Sequence, residues 1–175
     1  LKIIAPTTPS DMKGLLKSAI RDDDPVVVFE DSTLWGSKEL VSTDSDYLVP
    51  IGVADIKHPG SDVTVVAIAG CQKPALAAAK SLAKEGISVE IVDPRTLVPL
   101  DKETIIKSVA KTGRLIVVDN ANRTCNAAAE IAAMVAEEAF ESLKKPIQRL
   151  STPDVHIPFS PVLEKQLYPT KDSII

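Results

Sequence analysis

The chain has 175 residues with a formal net charge of -4, and 45% of its residues are hydrophobic and 25% are charged. These values are typical of a soluble globular protein of one domain, or of one domain joined to part of another. The acidic balance argues against a nucleic-acid partner, and no apolar run approaches the roughly 20 residues that cross a membrane.

The first predicted elements form a strand–helix–strand unit. Residues 1–5 are a strand candidate, and residues 26–29 are a second, fully apolar one. Between them, apolar side chains recur at helical spacing from Met12 to Ile20, which predicts a helix ending near Arg21. Thr8 or Ser10 is expected to cap the start of this helix.

Residues 31–60 are polar, contain two prolines and show no sustained period, so we interpret them as a linker. One short extended piece is expected at residues 47–51. The domain boundary is predicted near Pro50 because composition changes there.

A second strand–helix–strand unit begins at residue 63 and organises the rest of the chain. The apolar runs at residues 63–69 and 87–92 predict strands that are covered on both faces. The intervening segment, residues 75–84, predicts a helix with Pro74 in its first turn and Gly86 just past its end. Short connections of this kind favour a parallel pair of strands.

Two more helices and two more strands follow. Asp101 is expected to cap a helix that stops at Gly113, and residues 115–118 predict a buried strand. After a polar loop at residues 120–126, Asn126 is expected to cap a helix over residues 127–144. A short strand at residues 147–150 and a surface tail at residues 151–175 without a closing helix complete the prediction. The pattern predicts an α/β fold, a mostly parallel sheet with helices on both faces.

Ligands of such sheets bind beyond the carboxyl ends of the strands. These ends carry Gly70, the pair Asp93 and Arg95, and a polar segment from Asn120. The helix start near Gly70 is either an anion site or an ordinary turn, because no glycine-rich phosphate motif is present. Arg95 either clamps an anionic ligand or forms a structural ion pair. A stand-alone anion- or nucleotide-binding module therefore stays open as an alternative function.

The two cysteines, Cys71 and Cys125, are too few for a disulfide framework, which favours a reducing cytoplasm. Cys71 lies between a strand and a helix, where the pKa of a thiol can fall. No histidine is near it in sequence, so we expect a buried or incidental thiol at both positions. His156 is expected to be a surface or packing residue.

Three consecutive carboxylates, Asp22, Asp23 and Asp24, lie at the end of the first helix. Carboxylate and carbonyl oxygens are hard ligands that suit a hard cation. The alternative is a solvated acidic turn. The residues by themselves thus predict a possible anion site and a possible cation site, but no reaction.

Several segments together resemble a known family, and they run in order through nearly the whole chain. They are LKIIAP at residues 1–6, KGLLKSAIRD at 13–22, VDPRTL at 92–97, SVAKTGRL at 108–115 and PFSP at 158–161. The chain resembles the C-terminal part of the beta subunit of thiamine-diphosphate-dependent 2-oxo acid dehydrogenases, which are transketolase-like. Residues 120–126 stand where pyruvate and branched-chain enzymes have a glycine-rich loop, which is closer to acetoin dehydrogenase beta subunits.

The resemblance implies a division of the chain and a function. Residues 1–34 would be the end of the pyrimidine-binding domain, residues 35–50 a linker, and residues 51–175 a transketolase-like C-terminal domain. The family's catalytic residues precede the matched region, and the alpha subunit holds thiamine diphosphate and Mg. We therefore expect this chain to be inactive alone and to serve assembly with the alpha subunit, a second beta subunit and a dihydrolipoamide acyltransferase core. The family's usual last helix would lie past Ile175.

One metal site of the family maps onto this sequence. The resemblance implies that backbone oxygens of Ala19, Ile20, Asp22 and Asp24 contribute to a potassium site. The family often has Asn where Asp24 stands, and one further ligand comes from a position before Leu1.

Overall fold

The computed structural model describes all 175 residues, which form eight strands and six α-helices around two sheets. The strands are β1 (Lys2–Ile4), β2 (Val26–Val28), β3 (Asp55–His58), β4 (Val63–Ala67), β5 (Val89–Asp93), β6 (Thr96–Val98), β7 (Leu115–Asn122) and β8 (Gln148–Thr152). The helices are α1 (Pro9–Ile20), α2 (Gln72–Leu82), α3 (Lys102–Thr112), α4 (Ala127–Glu138), α5 (Pro161–Glu164) and α6 (Lys171–Ile174). None of the helices combines the length and apolar character that a membrane crossing needs.

The larger sheet has the strand order β3-β5-β4-β7-β8 and confirms the predicted fold class. Three of its four strand pairings are parallel, and the fourth, at the edge, pairs β3 antiparallel with β5. Because successive side chains point to opposite faces, Val66 packs against α3 and α4 while its neighbour Val65 packs against α2. Helices thus cover both faces, and β4 lies in the centre of the sheet.

The smaller sheet has the order β2-β1-β6 and joins the two halves of the chain. β1 and β2 are parallel, and helix α1 covers one face by burying Leu15 against Ile4 and Val49. β6 pairs antiparallel with β1, although it follows β5 of the larger sheet. The strand at residues 96–98 was not predicted because its three residues are too few to show a period.

The predicted caps and stops are confirmed. Thr8, Asp101 and Asn126 each accept a backbone N–H from the first turn of the following helix. Pro74 lies in the first turn of α2, and Gly86 and Gly113 follow helix ends with φ values of 81° and 73°. These positions follow from local chemistry, because caps satisfy donors that a helix leaves unpaired.

Five expectations about elements differ from the structure. The linker contains strand β3, and residues 47–51 form no strand, although Val49 is buried. β7 continues through residues 120–122, which were predicted as loop, because it pairs with β8 up to Asn122. α4 ends at Glu138, six residues early, since the chain turns back for the Lys144 N–H to reach the carbonyl of Gly113.

The fifth difference concerns the tail. It ends in the short helix α6, whose Ile174 is buried against the alanine-rich side of α2. Thr170 caps this helix in a reciprocal arrangement with Ser173. The tail from residue 151 therefore returns to the core at its end.

Candidate functional site

A buried cluster of charges joins the smaller sheet to the larger one. Lys57 on β3 lies 2.6 Å from a carboxylate oxygen of Asp11 on α1, 2.8 Å from Asp55 and 3.6 Å from Asp93 at the end of β5. Thr7, in the loop before α1, donates its hydroxyl to Asp93. The sequence analysis identified Asp93 but did not identify Thr7, Asp11 or Lys57 as its partners.

Arg95 completes this cluster. The sequence left two roles open for it, an anion clamp or a structural ion pair, and the structure supports the ion pair. Its Nη1 lies 3.1 Å from Asp11, and its Nε and Nη2 donate to the carbonyl of Val53 at 3.1 and 2.9 Å. Nη2 also lies 3.3 Å from the carbonyl of Ala54. The guanidinium is therefore occupied by the protein's own oxygens and does not face an open anion site.

The cluster contains three carboxylates, Asp11, Asp55 and Asp93, and two cations, Lys57 and Arg95. Asp93 is the carboxylate whose pKa is raised. Burial raises the pKa of the Asp93 carboxyl to about 6, against the lowering effects of Thr7 and Lys57. Asp11 differs: burial works to raise its pKa, but the hydrogen bond and charge of Lys57 outweigh burial and the pKa is lowered. Their environments thus raise the pKa of Asp93 and lower the pKa of Asp11, although both carboxylates belong to the same cluster.

At the carboxyl ends of β4 and β7, the start of α2 has a carboxylate of the chain itself as its partner, in an open crevice lined by Asp31, Gly70 and Asn120. The Asp31 carboxylate accepts the N–H of Gly70 at 3.0 Å, beside the start of α2. The side chain of Asn120 lies 3.5 Å from the same oxygen, and Lys73 donates to the carbonyl of Thr33 at 2.8 Å. A Cβ at Gly70 would overlap the Asp31 carboxylate, so this contact depends on glycine. An internal carboxylate thus takes the place that the sequence suggested for an anionic ligand.

The two cysteines lie in different environments. Cys71 is buried at the start of α2, and burial raises the pKa of its thiol to about 12, with Asp119 and Asp31 adding to the rise. A thiol with such a pKa is not a nucleophile at neutral pH. Cys125 is exposed in the loop before α4, so of the two thiols expected to be buried or incidental only Cys71 is buried. His156 is exposed, as expected.

The acidic turn after α1 is compensated by Lys2. The ammonium of Lys2 lies 2.7 Å from Asp22 and 3.4 Å from Asp24, and its hydrogen bond lowers the pKa of Asp22. The carbonyl of Ala19 accepts only a 3.4 Å hydrogen bond, from the N–H of Asp22. No three His, Cys, Asp or Glu side chains come together in a metal-binding group anywhere in the chain. Lys2 thus pairs with two of the three carboxylates of this turn, and Asp23 is exposed.

The titratable groups at the carboxyl ends of the strands therefore hold structure together, and no nucleophile stands beside a base. Lys57 and Asp31 were missed because both lie in the segment interpreted as a linker. Their sequence signal was weak: each is one charged residue in a polar stretch. The partners of Lys57 are distant in sequence: Asp93 is 36 residues away and Asp11 is 46 residues away. Gly70, the partner of Asp31, is 39 residues away.

Comparison with known proteins identifies the fold. The family "Transketolase, C-terminal domain" matches residues 52–174. The chain is 48% identical over 175 residues to acetoin:2,6-dichlorophenolindophenol oxidoreductase subunit beta of Bacillus subtilis, covering 100% of this chain and 51% of that protein. It is 44% identical over 160 residues to the pyruvate dehydrogenase E1 component subunit beta of the same organism, covering 91% and 49%.

The solved structures include one of similar fold, described as "Split gene transketolase, inactive beta4 tetramer". It superposes with a TM-score of 0.81 at 25% sequence identity and covers 99% of this chain and 54% of that one. The chain spans about half the length of the curated relatives it matches. The resemblance to dehydrogenase beta subunits is confirmed by these matches, and the chain belongs to the transketolase C-terminal domain family.

Proposed function

We propose that this chain is the C-terminal portion of the beta subunit of a thiamine-diphosphate-dependent oxidoreductase that acts on acetoin or on a 2-oxo acid such as pyruvate. In this role it supports subunit assembly and is not catalytic alone. The single observation that carries the proposal is the unbroken match, at 48% identity, to an acetoin oxidoreductase beta subunit over every residue of this chain.

The geometry of the charged groups supports an assembly role. The cluster around Lys57 pairs its charged groups with one another, and Asp31 is held by the N–H of Gly70. General acid–base chemistry needs a free acid or base within hydrogen-bond reach of a substrate, and the Lys57 cluster holds its groups in ion pairs instead. Thiamine diphosphate and Mg would be held by the other parts of the enzyme, and no residue of this chain is proposed to bind them.

The proposed partners are an alpha subunit, a second copy of the beta subunit and a dihydrolipoamide acyltransferase core, in the cytoplasm. The alpha subunit and the beta oligomer follow from the beta-subunit relatives. The structural relative described as an inactive tetramer of beta chains supports the idea that beta chains associate without activity. The acyltransferase core follows only from the family resemblance.

The first test is reconstitution. We expect no reduction of 2,6-dichlorophenolindophenol by the chain alone with acetoin, thiamine diphosphate and Mg. Coexpression with the alpha subunit of the B. subtilis acetoin enzyme and the N-terminal half of its beta subunit should restore dye reduction. Acetoin, pyruvate and 2-oxoisovalerate are compared as substrates, and acetoin should be preferred.

The matched C-terminal half of the B. subtilis beta subunit is the positive control, because it shows that a split subunit reassembles. Dye reduction by the isolated chain would overturn the assembly role. Reconstitution by the control half but not by this chain would overturn the assignment to this class of oxidoreductase.

We also propose that the carbonyl oxygens of Ala19, Ile20, Asp22 and Asp24 contribute to a potassium site. The Ile20 carbonyl, at the end of α1, accepts no hydrogen bond from the protein, and carbonyl oxygens are suitable ligands for a hard cation. Lys2 already neutralises the two nearby carboxylates, so it opposes a second cation.

Thermal unfolding in potassium chloride and in sodium chloride at equal ionic strength tests this site. Potassium should raise the midpoint by about 2 °C or more, because a ligand of the native state stabilises it by mass action. Lys2→Met should enlarge the response, since it removes the competing ammonium. Equal midpoints in both salts for both proteins would contradict the site.

A further inference from the structure

The first 29 residues, which contain β1, α1 and β2, have a small apolar core of their own. It consists of Ile4 and Leu15 together with Val49 from the segment that follows. The larger sheet, in contrast, packs against its helices through apolar clusters of 13 and 11 buried residues. A part of a protein with few buried apolar contacts opens at a lower free energy than the rest of the molecule. We call residues 1–29 the N-terminal unit.

Three polar contacts tie the N-terminal unit to the larger sheet. Asp11 of α1 lies 2.6 Å from Lys57 on β3 and 3.1 Å from Arg95. Thr7 donates its hydroxyl to Asp93 at the end of β5. We call these three contacts the junction. Each contact has one partner inside the N-terminal unit and one outside it, so opening of the unit breaks all three together.

Asp93 is the least compensated charge of the junction. Its side chain is fully buried, and its one cationic partner is Lys57 at 3.6 Å. The same ammonium lies closer to two other carboxylates, at 2.6 Å from Asp11 and at 2.8 Å from Asp55. A buried charge without a close cation costs free energy, and this cost disappears when the group reaches water. Burial accordingly raises the pKa of the Asp93 carboxyl to about 6.

We propose that the N-terminal unit opens away from the larger sheet as one cooperative piece, and that the proton on Asp93 controls this opening. When Asp93 carries the proton, it is neutral and its burial in the closed junction costs little. When Asp93 is ionised, the open form is favoured, because water then reaches the carboxylate. The junction is therefore a pH-sensitive contact between the two parts of the chain, and acidification tightens it. This device is separate from the proposed function.

The other charged groups of the junction do not produce such a response between pH 5 and pH 8. The pKa of Asp11 is lowered and the pKa of Lys57 is raised, so both stay charged in the closed and the open form. Arg95 is charged throughout this range, and the side chain of Asp55 already reaches water in the closed form. His58, the neighbour of Lys57 on β3, hydrogen-bonds to a carbonyl of the larger sheet, which opening leaves in place.

Native-state hydrogen exchange of the chain at pH 5, 6, 7 and 8 tests this opening, because it gives an opening constant for each protected amide. The N–H groups of Ala5 and Phe29 report on the N-terminal unit, since their hydrogen bonds extend the pairing of β1 with β6 and with β2. The N–H of Ile68 donates to the carbonyl of Val118 between the two central strands of the larger sheet, so it reports on global unfolding.

The opening constants of Ala5 and Phe29 should exceed that of Ile68 at least tenfold at every pH. They should also rise roughly tenfold from pH 5 to pH 8, since the carboxyl has a pKa of about 6 in the closed form and 3.8 when free. Asp93→Asn should reduce this rise to less than twofold. Asp23→Asn, at an exposed position of the same unit, is the matched control and should leave the rise unchanged.

Thr7→Val provides a second measurement, made from the other side of the junction. It removes the hydroxyl that donates to Asp93 and leaves the carboxylate in place. The opening constants of Ala5 and Phe29 should increase at least fivefold at pH 8, because a buried carboxylate then loses a donor. An unchanged constant would mean that this contact does not hold the unit closed.

Equal opening constants for Ala5, Phe29 and Ile68 would show that the N-terminal unit opens only when the whole protein unfolds, and the proposal would then be wrong. A rise with pH that persists in Asp93→Asn would assign the response to another group and remove the role of Asp93. Neither result bears on the proposed function, which reconstitution with the other subunits tests separately.

Discussion

Replacing Gly60 by alanine is expected to destabilise the protein by roughly 3 kcal/mol. A Cβ at this position would lie 2.5 Å from the carbonyl oxygen of Val89 and closer still to the carbonyl carbon of Val89 and the N of Glu90. These are backbone atoms of β5, next to the centre of the larger sheet. They cannot turn away as a flexible side chain can, so the sheet or the loop has to move.

A movement of the loop would also break hydrogen bonds. The N–H of Gly60 donates to the carboxylate of Glu90 at 3.2 Å, and the N–H groups of Ser61 and Asp62 both donate to the carbonyl of Ser88. The Glu90 carboxylate is buried, with Ser108 as a further donor at 2.6 Å. Loss of donors to a buried carboxylate costs more than loss of an ordinary surface contact.

Urea denaturation of Gly60→Ala and Gly36→Ala measures this effect. Gly36 has no atom within 4 Å of the position of an added Cβ, so it is a matched control. Gly36→Ala should change the free energy of unfolding by no more than about 0.5 kcal/mol. Equal destabilisation by the two substitutions would show that the close approach of Gly60 to β5 is wrong.

Replacing Asp93 by asparagine is expected to stabilise the protein increasingly as pH rises from 5 to 8. The pKa of Asp93 is raised to about 6 in the folded protein, from 3.8 for the free group, mainly by burial. The folded state then binds more protons than the unfolded state between these values, so this group lowers stability as pH rises. A shift of about 2 pKa units corresponds to roughly 3 kcal/mol when the carboxylate is fully ionised.

Part of this cost is already present at pH 5, because the unfolded carboxylate is ionised there. The advantage of Asp93→Asn over wild type should therefore grow by roughly 1–2 kcal/mol between pH 5 and pH 8. The other charged groups that face Asp93 are Lys57, Asp55 and Asp11, and they are the same in both proteins. Asparagine keeps one oxygen for the hydroxyl of Thr7 but loses the second acceptor, which receives the N–H of Arg95 at 3.0 Å. This loss is the same at every pH and does not change the growth of the difference.

Urea denaturation of both proteins at pH 5, 6, 7 and 8 measures this difference. Asp23→Asn, at an exposed position, is the control for loss of one negative charge. It should show no growth of this kind, because an exposed charge interacts weakly with the rest of the protein. An Asp93→Asn advantage that stays constant or falls with pH would contradict the raised pKa.

Local patterns account for most of the helices and the inner strands. The apolar runs at β4 and β5 and the caps at Thr8, Asp101 and Asn126 were all predicted from neighbouring residues. Such features depend on interactions within about four residues, which the sequence displays directly. The family resemblance was similarly visible in short segments and is supported by the match over residues 52–174.

The candidate sites were less predictable, because their partners are distant in sequence. Arg95 was identified, but the choice between anion clamp and ion pair required its contact with Asp11, 84 residues away. The turn at Gly70 was identified, but its occupation by Asp31 depends on a loop 39 residues earlier. Strand β3 was missed because Ile56 and its neighbours show no apolar run, and antiparallel pairing with the buried β5 makes them a strand.

By itself, the sequence determined the α/β class, the ends of the helices and the family, since each depends on local chemistry or on ordered short motifs. Only the tertiary structure decided which charges pair and that β6 joins the smaller sheet. The physical reason is that strand pairing and burial bring together residues far apart in the chain. A charged or apolar side chain acquires its role from those neighbours and not from its own type.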